Sequence, residues 1–210
     1  MHHLQHHIHR ALIARLLRLL LLLLACLAGS QSARAAEPAN PIGGVRFEAQ
    51  AQVAGQALQL NGTGLRALRI FKAYAAALYL PQRAATADAV VSQAGAKRLQ
   101  IRMLWGVPAG EFVKAFHVGL ERNNPPELQV RLADRAARFD ALLQPLGKIA
   151  SGDTVNLDFQ PGQGLVFSHN GRVLGAAIPG EDFYGALLRV FIGEQVSDDR
   201  LRAGLLGAPS

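Results

Sequence analysis

The chain has 210 residues, half of them hydrophobic, with 22 Lys and Arg against 15 Asp and Glu. That length suits one domain with a sizeable core and leaves little for a second. Four arginines (Arg10, Arg15, Arg18 and Arg34) and no acids lie in the first 36 residues, so the remainder has 18 basic residues (22 less 4) against 15 acidic, a charge of only +3. A protein so near neutrality offers no general electrostatic case for nucleic acid or an anionic membrane. Cys26 is the single cysteine. This excludes an internal disulfide and, in a chain cut after it, a thiolate nucleophile or a cysteine zinc site.

Residues 1–36 read as a signal peptide. Arg10, Arg15 and Arg18 form a positive start, Leu16 to Gly29 an apolar core, and Ser32-Ala33-Arg34-Ala35-Ala36 supplies small residues for signal peptidase. Export to a bacterial periplasm is therefore expected. The apolar run is short for a membrane span and polar residues follow at once. Leu23-Leu24-Ala25-Cys26 loosely resembles a lipoprotein cleavage box, with Leu24 a poor fit, so soluble export is preferred over a lipidated Cys26. Membrane contact is expected only through the leader or that cysteine. His2, His3, His6, His7 and His9 look like a metal tract by composition, but they leave with the leader, and no metal or cofactor is expected.

A short linker over 37–43 precedes one domain over 44–208. Val45, Phe47 and Ala49 alternate with polar residues, the pattern of a half-buried strand. Ala57 begins a second strand leading into the stretch Leu60 to Leu80. Gly62 and Gly64 predict a turn, a bulge or a close backbone approach there. Gly62-x-Gly64-x-x-Ala67 matches the loose dinucleotide fingerprint, but that motif binds phosphate only where a helix follows, and strand is expected. Asn61-Gly62-Thr63 is a formal glycosylation sequon, with meaning only in a eukaryotic secretory pathway.

Ile70 to Leu80 reads as a strand whose Ala73, Ala75, Ala76 and Ala77 leave room above the sheet. Arg66 and Tyr74 could point into that room, giving a small-ligand pocket with apolar walls and a few polar groups. With a reversal around Ala67 to Arg69, the two would sit roughly 15 Å apart. They would line one cavity without bonding to each other. The alternative is equally open here: Arg66 a solvated edge charge and Tyr74 a half-buried sheet residue.

Thr86 to Ala94 suits a short helix capped by Thr86 and stopped at Gly95. Leu99, Ile101, Met103 and Trp105 alternate with Arg98, Gln100 and Arg102, as in an antiparallel strand covered on one face. Pro108 opens a helix with Phe112, Ala115, Phe116, Gly119 and Leu120 at helical spacing, and His117 off that stripe reads as a surface residue. After Pro125-Pro126 comes a helix burying Leu128, Leu132, Ala136, Phe139, Leu143 and Leu146, with Arg131, Arg135 and Arg138 on its solvated side. Thr154 to Phe159 is a strand; Asp153 and Asp158 read as turn and surface acids with no partner for acid-base work. Asn170-Gly171 marks a hairpin between Leu165–Ser168 and Arg172–Ile178, with His169 exposed beside it. A helix starts near Glu181-Asp182 and buries Phe183, Leu187, Val190 and Phe191, with Tyr184 at the edge of the stripe. A short helix over Asp198 to Leu206 closes the chain. Strands at both ends, helices between and no regular alternation argue for α+β with an antiparallel sheet.

Gly64-Leu65-Arg66 with Phe71-Lys72-Ala73-Tyr74-Ala75-Ala76-Ala77-Leu78-Tyr79-Leu80 resembles the signature of the chalcone isomerase-like family. Ile178-Pro179-Gly180-Glu181-Asp182-Phe183-Tyr184-Gly185-Ala186-Leu187-Leu188-Arg189-Val190-Phe191-Ile192-Gly193 is similar to the closing helix of its bacterial exported branch. The resemblance implies a large antiparallel sheet covered on one face by a layer of helices. It places Arg66 on the family's arginine and Tyr74 where the fatty-acid-binding branch is similar and the plant isomerases have threonine. The isomerases' tyrosine and asparagine would fall on Phe112 and Gly119, and Ala176 and Ala177 stand where a hydroxyl residue is expected. These departures argue against isomerisation.

What remains is an arginine, suited to two-point contact with a carboxylate, beside an apolar cavity. The leading expectation is a noncatalytic exported binder of a small amphipathic acid such as a fatty acid, through Arg66 and Tyr74. One alternative is an intramolecular lyase acting on phenolic or enone substrates with Arg66 as its electrostatic element. Another is an envelope protein working through a protein partner at the arginine-bearing helix.

Overall fold

The computed structural model describes residues 41–68 and 71–208. The leader, Cys26 and most of the linker lie outside them. Glu37–Ser210 forms one compact unit. Among the described residues no helix is long and apolar enough to cross a membrane.

Seven strands build one antiparallel sheet. In spatial order they are β1 (Gln50–Val53), β2 (Gln56–Leu68), β3 (Phe71–Leu80), β4 (Lys97–Met103), β7 (Thr154–Gln160), β8 (Gly164–His169) and β9 (Arg172–Val173). A two-stranded ribbon joins β5 (Val107–Pro108) to β6 (Lys148–Ile149). The sheet curls enough for β1 to touch β4 and β7 as well as its partner β2. Among the described residues five α-helices complete the fold: α1 (Ala87–Ser92), α2 (Ala109–Asn123), α3 (Pro126–Leu143), α4 (Glu181–Ile192) and α5 (Asp199–Leu205). The arrangement is α+β, a curled antiparallel sheet under helices.

Local chemistry explains the element ends. The Thr86 hydroxyl accepts from the Ala89 amide at 3.3 Å and caps α1. Pro125 and Pro126 start α3, where a missing amide costs nothing. Asn170 and Gly171, both with positive φ, turn β8 into β9, and the Asn170 side chain accepts from the Thr154 amide at 2.8 Å. The returning strand is shorter than expected, Arg172–Val173, with one further bridge from Ile178 to Leu165. The strand anticipated at 45–49 does not form: Val45 closes a tight turn with Ile42, each bonding the other's backbone, residues 46–49 are irregular, and β1 begins only at Gln50.

The main core lies between the sheet and helices α2, α3 and α4, centred on Phe116, Phe139 and Phe183 in edge-to-face contact. A second cluster on the other face packs Phe47, Val53 and Leu58 on Ala75, Ala77 and Tyr79. The alanines expected to leave room for a ligand thus divide: Ala75 and Ala77 face this second cluster, Ala76 joins the main core, and only Ala73 borders a cavity. Side-to-side alternation separates Ala76 from Ala75 and Ala77, and Ala73 is the extra residue at the register shift opposite Arg66 and Ala67, where the alternation is interrupted.

The glycines of β2 serve a close approach. Neither has a positive φ. A Cβ on Gly64 would lie 2.6 Å from the Leu201 carbonyl oxygen, and one on Gly62 would strike the backbone of Gly204. α5 lies flat on β2 at this point, so the would-be dinucleotide loop is a helix-packing surface, with a register shift between Leu60 and Gly62 marking the bulge.

Several polar residues have partners that the sequence did not show. Asp158 is buried and accepts from Arg98 Nε and Nη2, each at 2.6 Å, across β4 and β7. Tyr184 is fully buried and donates to the Leu157 carbonyl at 2.9 Å. Arg135 reaches the first turn of α4 and holds Asp182 at 2.5 and 2.9 Å. His117 bonds Asp140 at 2.7 Å on the neighbouring helix, while its side chain stays exposed. His169 is half-buried against Asp153 at 2.9 Å. Sequence separation hid each of these partners.

Lys97 is buried beside the Phe159 ring, bonded to the Gln93 carbonyl and 4.0 Å from Glu181. Burial pushes its pKa down, with Glu181 partly opposing. The unfolded chain therefore binds the proton more tightly, and stability rises with pH as the folded-state value is passed. Lys97→Met is expected to flatten that rise on the alkaline side, below the ordinary lysine range, read from urea midpoints. An unchanged slope in the variant would contradict a desolvated Lys97.

Candidate functional site

A cavity of about 460 Å³ opens between the sheet and the helices. Its floor is Ile101 of β4, Val155 and Leu157 of β7, and Phe167 of β8. Its roof is Phe112, Phe116 and Gly119 of α2 with Leu187, Val190 and Phe191 of α4. This volume falls within the roughly 300–1,000 Å³ of small-molecule sites, and the walls are apolar as such sites require.

The polar groups gather on one side. Arg66 and Tyr74 both line the cavity, on paired positions of β2 and β3. They are direct cross-strand neighbours, which corrects the expected separation of roughly 15 Å: β2 stays paired through Leu68 opposite Phe71, so the strands reverse later than expected, and a register shift after Arg66 brings Tyr74 opposite it. Arg66 Nη1 donates to the Ser197 carbonyl at 2.7 Å and meets Asp198 Oδ2 at 3.2 Å. Arg66 is therefore neither a solvated edge charge nor a bare anion anchor. The other donors of its guanidinium, on Nε and Nη2, have no partner among the described residues.

Tyr74 keeps its proton. Loss of water around it raises its pKa to about 12, with Arg66 pulling down and Asp198 pushing up. No hydrogen bond is among the causes of the shift. Tyr74 stands as a neutral donor across the physiological range.

Asp198 holds the arrangement together. Its Oδ1 accepts from the Arg200 and Leu201 amides and caps α5, while Oδ2 faces Arg66. The sequence marks Asp198 as the start of a helix but contains no sign that it reaches Arg66. Glu111, Lys114 and Arg122 complete the rim. They were missed, although a helical wheel of α2 places Glu111, Ala115, Val118 and Arg122 on one flank, beside the Phe112 and Gly119 positions. Lys114 pairs with Glu111 at 2.8 Å.

The positions matched to the isomerases' tyrosine and asparagine do line the cavity, and carry no polar side chain. At Gly119 the space is taken: a Cβ there would lie 2.5 Å from Val190 Cγ1. Ala176 and Ala177 lie outside the cavity wall. Among the described residues, no group of three His, Cys, Asp or Glu side chains could hold a metal ion.

A curled antiparallel sheet closed by helices over an apolar cavity with a charged rim defines an α+β domain. The chain belongs to the chalcone isomerase-like family, whose model matches residues 39–207. No curated protein sequence matches. Among solved structures, the Arabidopsis thaliana fatty-acid binding protein is similar in fold, with a TM-score of 0.64 at 18% identity over 81% of this chain and 96% of that one.

Proposed function

We propose that this protein is an exported, noncatalytic binder of a small amphipathic carboxylate, a fatty acid being the type case. Arg66 meets the carboxylate through Nε and Nη2, and Tyr74 donates a second bond. The observation that carries the reading is the pairing of Arg66 and Tyr74 at the wall of an apolar cavity of about 460 Å³. The fatty-acid-binding similarity in fold supports the ligand class. Phe112 and Gly119 support binding over turnover, since neither can move a proton or order water at a reacting oxygen.

The charges favour a single negative headgroup. Arg66, Lys114 and Arg122 stand against Glu111 and Asp198 around the cavity, leaving one positive charge (three less two). Titration calorimetry on residues 37–210 with a series of saturated fatty acids tests this. Affinity is expected to rise by about 0.8 kcal/mol per added methylene until the cavity is full. Asp198→Asn keeps a good helix cap and removes the competing carboxylate, and is expected to tighten binding about fivefold. A chain-length series with no heat, or an Asp198→Asn variant that binds more weakly, would overturn the reading. Export is tested by fractionating cells that express the full chain; a periplasmic product beginning at Glu37 is expected, and an uncleaved cytoplasmic one would refute it.

A further inference from the structure

Phe71 and Trp105 are exposed, by 50% and 57%, although aromatic rings of this size are normally covered. They touch each other, with centroids 5.4 Å apart and planes tilted by 47°. Their backbone is fixed: the Ala73 carbonyl accepts from both the Leu104 and Trp105 amides, at 3.0 and 3.1 Å. The Ser151 hydroxyl holds the Leu104 carbonyl at 3.0 Å. Such a pair is a rigid, preorganised apolar knob.

Two exposed lysines lie at the same end of the sheet. Lys148 runs beside Gly106, next to Trp105, where an added Cβ would be 3.1 Å from its Nζ, and Lys72 follows Phe71 on the opposite face of the tip of β3. Neither forms an ion pair among the described residues. The knob also adjoins the cavity, because Ala73 and Val107, each two residues from one of the rings, line its wall.

We propose that the Phe71–Trp105 knob and its two lysines form a docking surface for an anionic lipid bilayer, with the rings seated among the headgroups. Aromatic rings with Lys beside them suit this interface, where each ring finds an apolar layer and each ammonium a phosphate. The near-neutral whole is no obstacle, since charge acts here only within about a Debye length of 8–10 Å. The proposal goes beyond the carboxylate reading, as docking needs no occupied cavity.

Trp105 is the single tryptophan of the chain, so its fluorescence reports on the surface directly. Residues 37–210 are mixed with phosphatidylethanolamine–phosphatidylglycerol vesicles, with pure phosphatidylcholine vesicles, and with vesicles carrying brominated acyl chains. A blue shift with the anionic vesicles, quenching by the brominated ones, and about tenfold weaker partitioning for the Lys72→Glu/Lys148→Glu variant are expected. Phe71→Ser should also dock more weakly while binding soluble fatty acid like wild type. An emission spectrum unchanged by anionic vesicles would overturn the proposal. So would vesicle binding that leaves Trp105 unquenched, or a concentration-dependent shift without lipid, which would assign the knob to a second copy of the chain.

Discussion

Arg66→Ala protein is expected to bind a long-chain carboxylate about 100-fold more weakly than wild type, a loss near 2.7 kcal/mol for a charge-assisted two-point contact. Two effects act together. The guanidinium that meets the carboxylate is gone, and Asp198, which faced Arg66 at 3.2 Å, is left as an uncompensated negative charge at the cavity wall. The double variant Arg66→Ala/Asp198→Asn separates them: if repulsion by Asp198 matters, it should regain part of the affinity. Tyr74→Phe removes one neutral donor and should cost only about threefold to tenfold. Calorimetry with a fatty acid of fixed length measures all four proteins. Equal affinity in wild type and Arg66→Ala would remove Arg66 from the site.

Gly64→Val is expected to destabilise the domain by about 3 kcal/mol or more, near the upper range for overpacking, because the atom it would strike is backbone and has no rotamer to yield. A Cβ at Gly64 would lie 2.6 Å from the Leu201 carbonyl oxygen and 3.0 Å from its Cα. α5 would have to lift from β2, and with it Asp198 from Arg66. The variant should therefore lose both thermal stability and ligand affinity. Glycine at 152, where a Cβ would meet nothing but φ is +90°, makes a useful contrast: Gly152→Ala strains the backbone locally and should leave affinity unchanged. A Gly64→Val protein with wild-type melting temperature would contradict the helix-on-strand packing.

The elements were legible where periodicity and caps agree. Leu99, Ile101 and Met103 alternate and form β4; Thr86 caps α1; Asn170-Gly171 makes its hairpin. The alanines of β3 were harder, since a small side chain marks a close approach without telling what approaches. At Ala75 and Ala77 the neighbour is a second core cluster. At Gly64 it is α5. Long-range polar pairs were invisible for a related reason: Arg98 and Asp158, or His169 and Asp153, meet only because strand pairing brings distant residues together.

The candidate site was half legible. Arg66 and Tyr74 stood out because a charge and a phenol interrupt a strand of small residues, and the resemblance to the family pointed to the same pair. Their direct pairing depends on a register shift after Arg66 that no local signal announces. Asp198 lies more than a hundred residues away, in a turn whose only sequence signature is a helix cap. Arg122 and Glu111 were within reach, since they share the flank of α2 that carries Phe112 and Gly119. The buried stripe of that helix was drawn as one surface; Leu120 lies in the core, Phe112, Ala115 and Gly119 face the cavity, and Phe116 belongs to both.

The central claim is an amphipathic acid held at Arg66 inside this cavity. Native mass spectrometry of gently purified residues 37–210, with solvent extraction of whatever leaves on denaturation, tests it most directly when wild type and Arg66→Ala are run side by side. A co-purified monocarboxylic acid on wild type that is absent from Arg66→Ala is the predicted result. An acid retained equally by both proteins, or an extract containing only uncharged lipid, would contradict it.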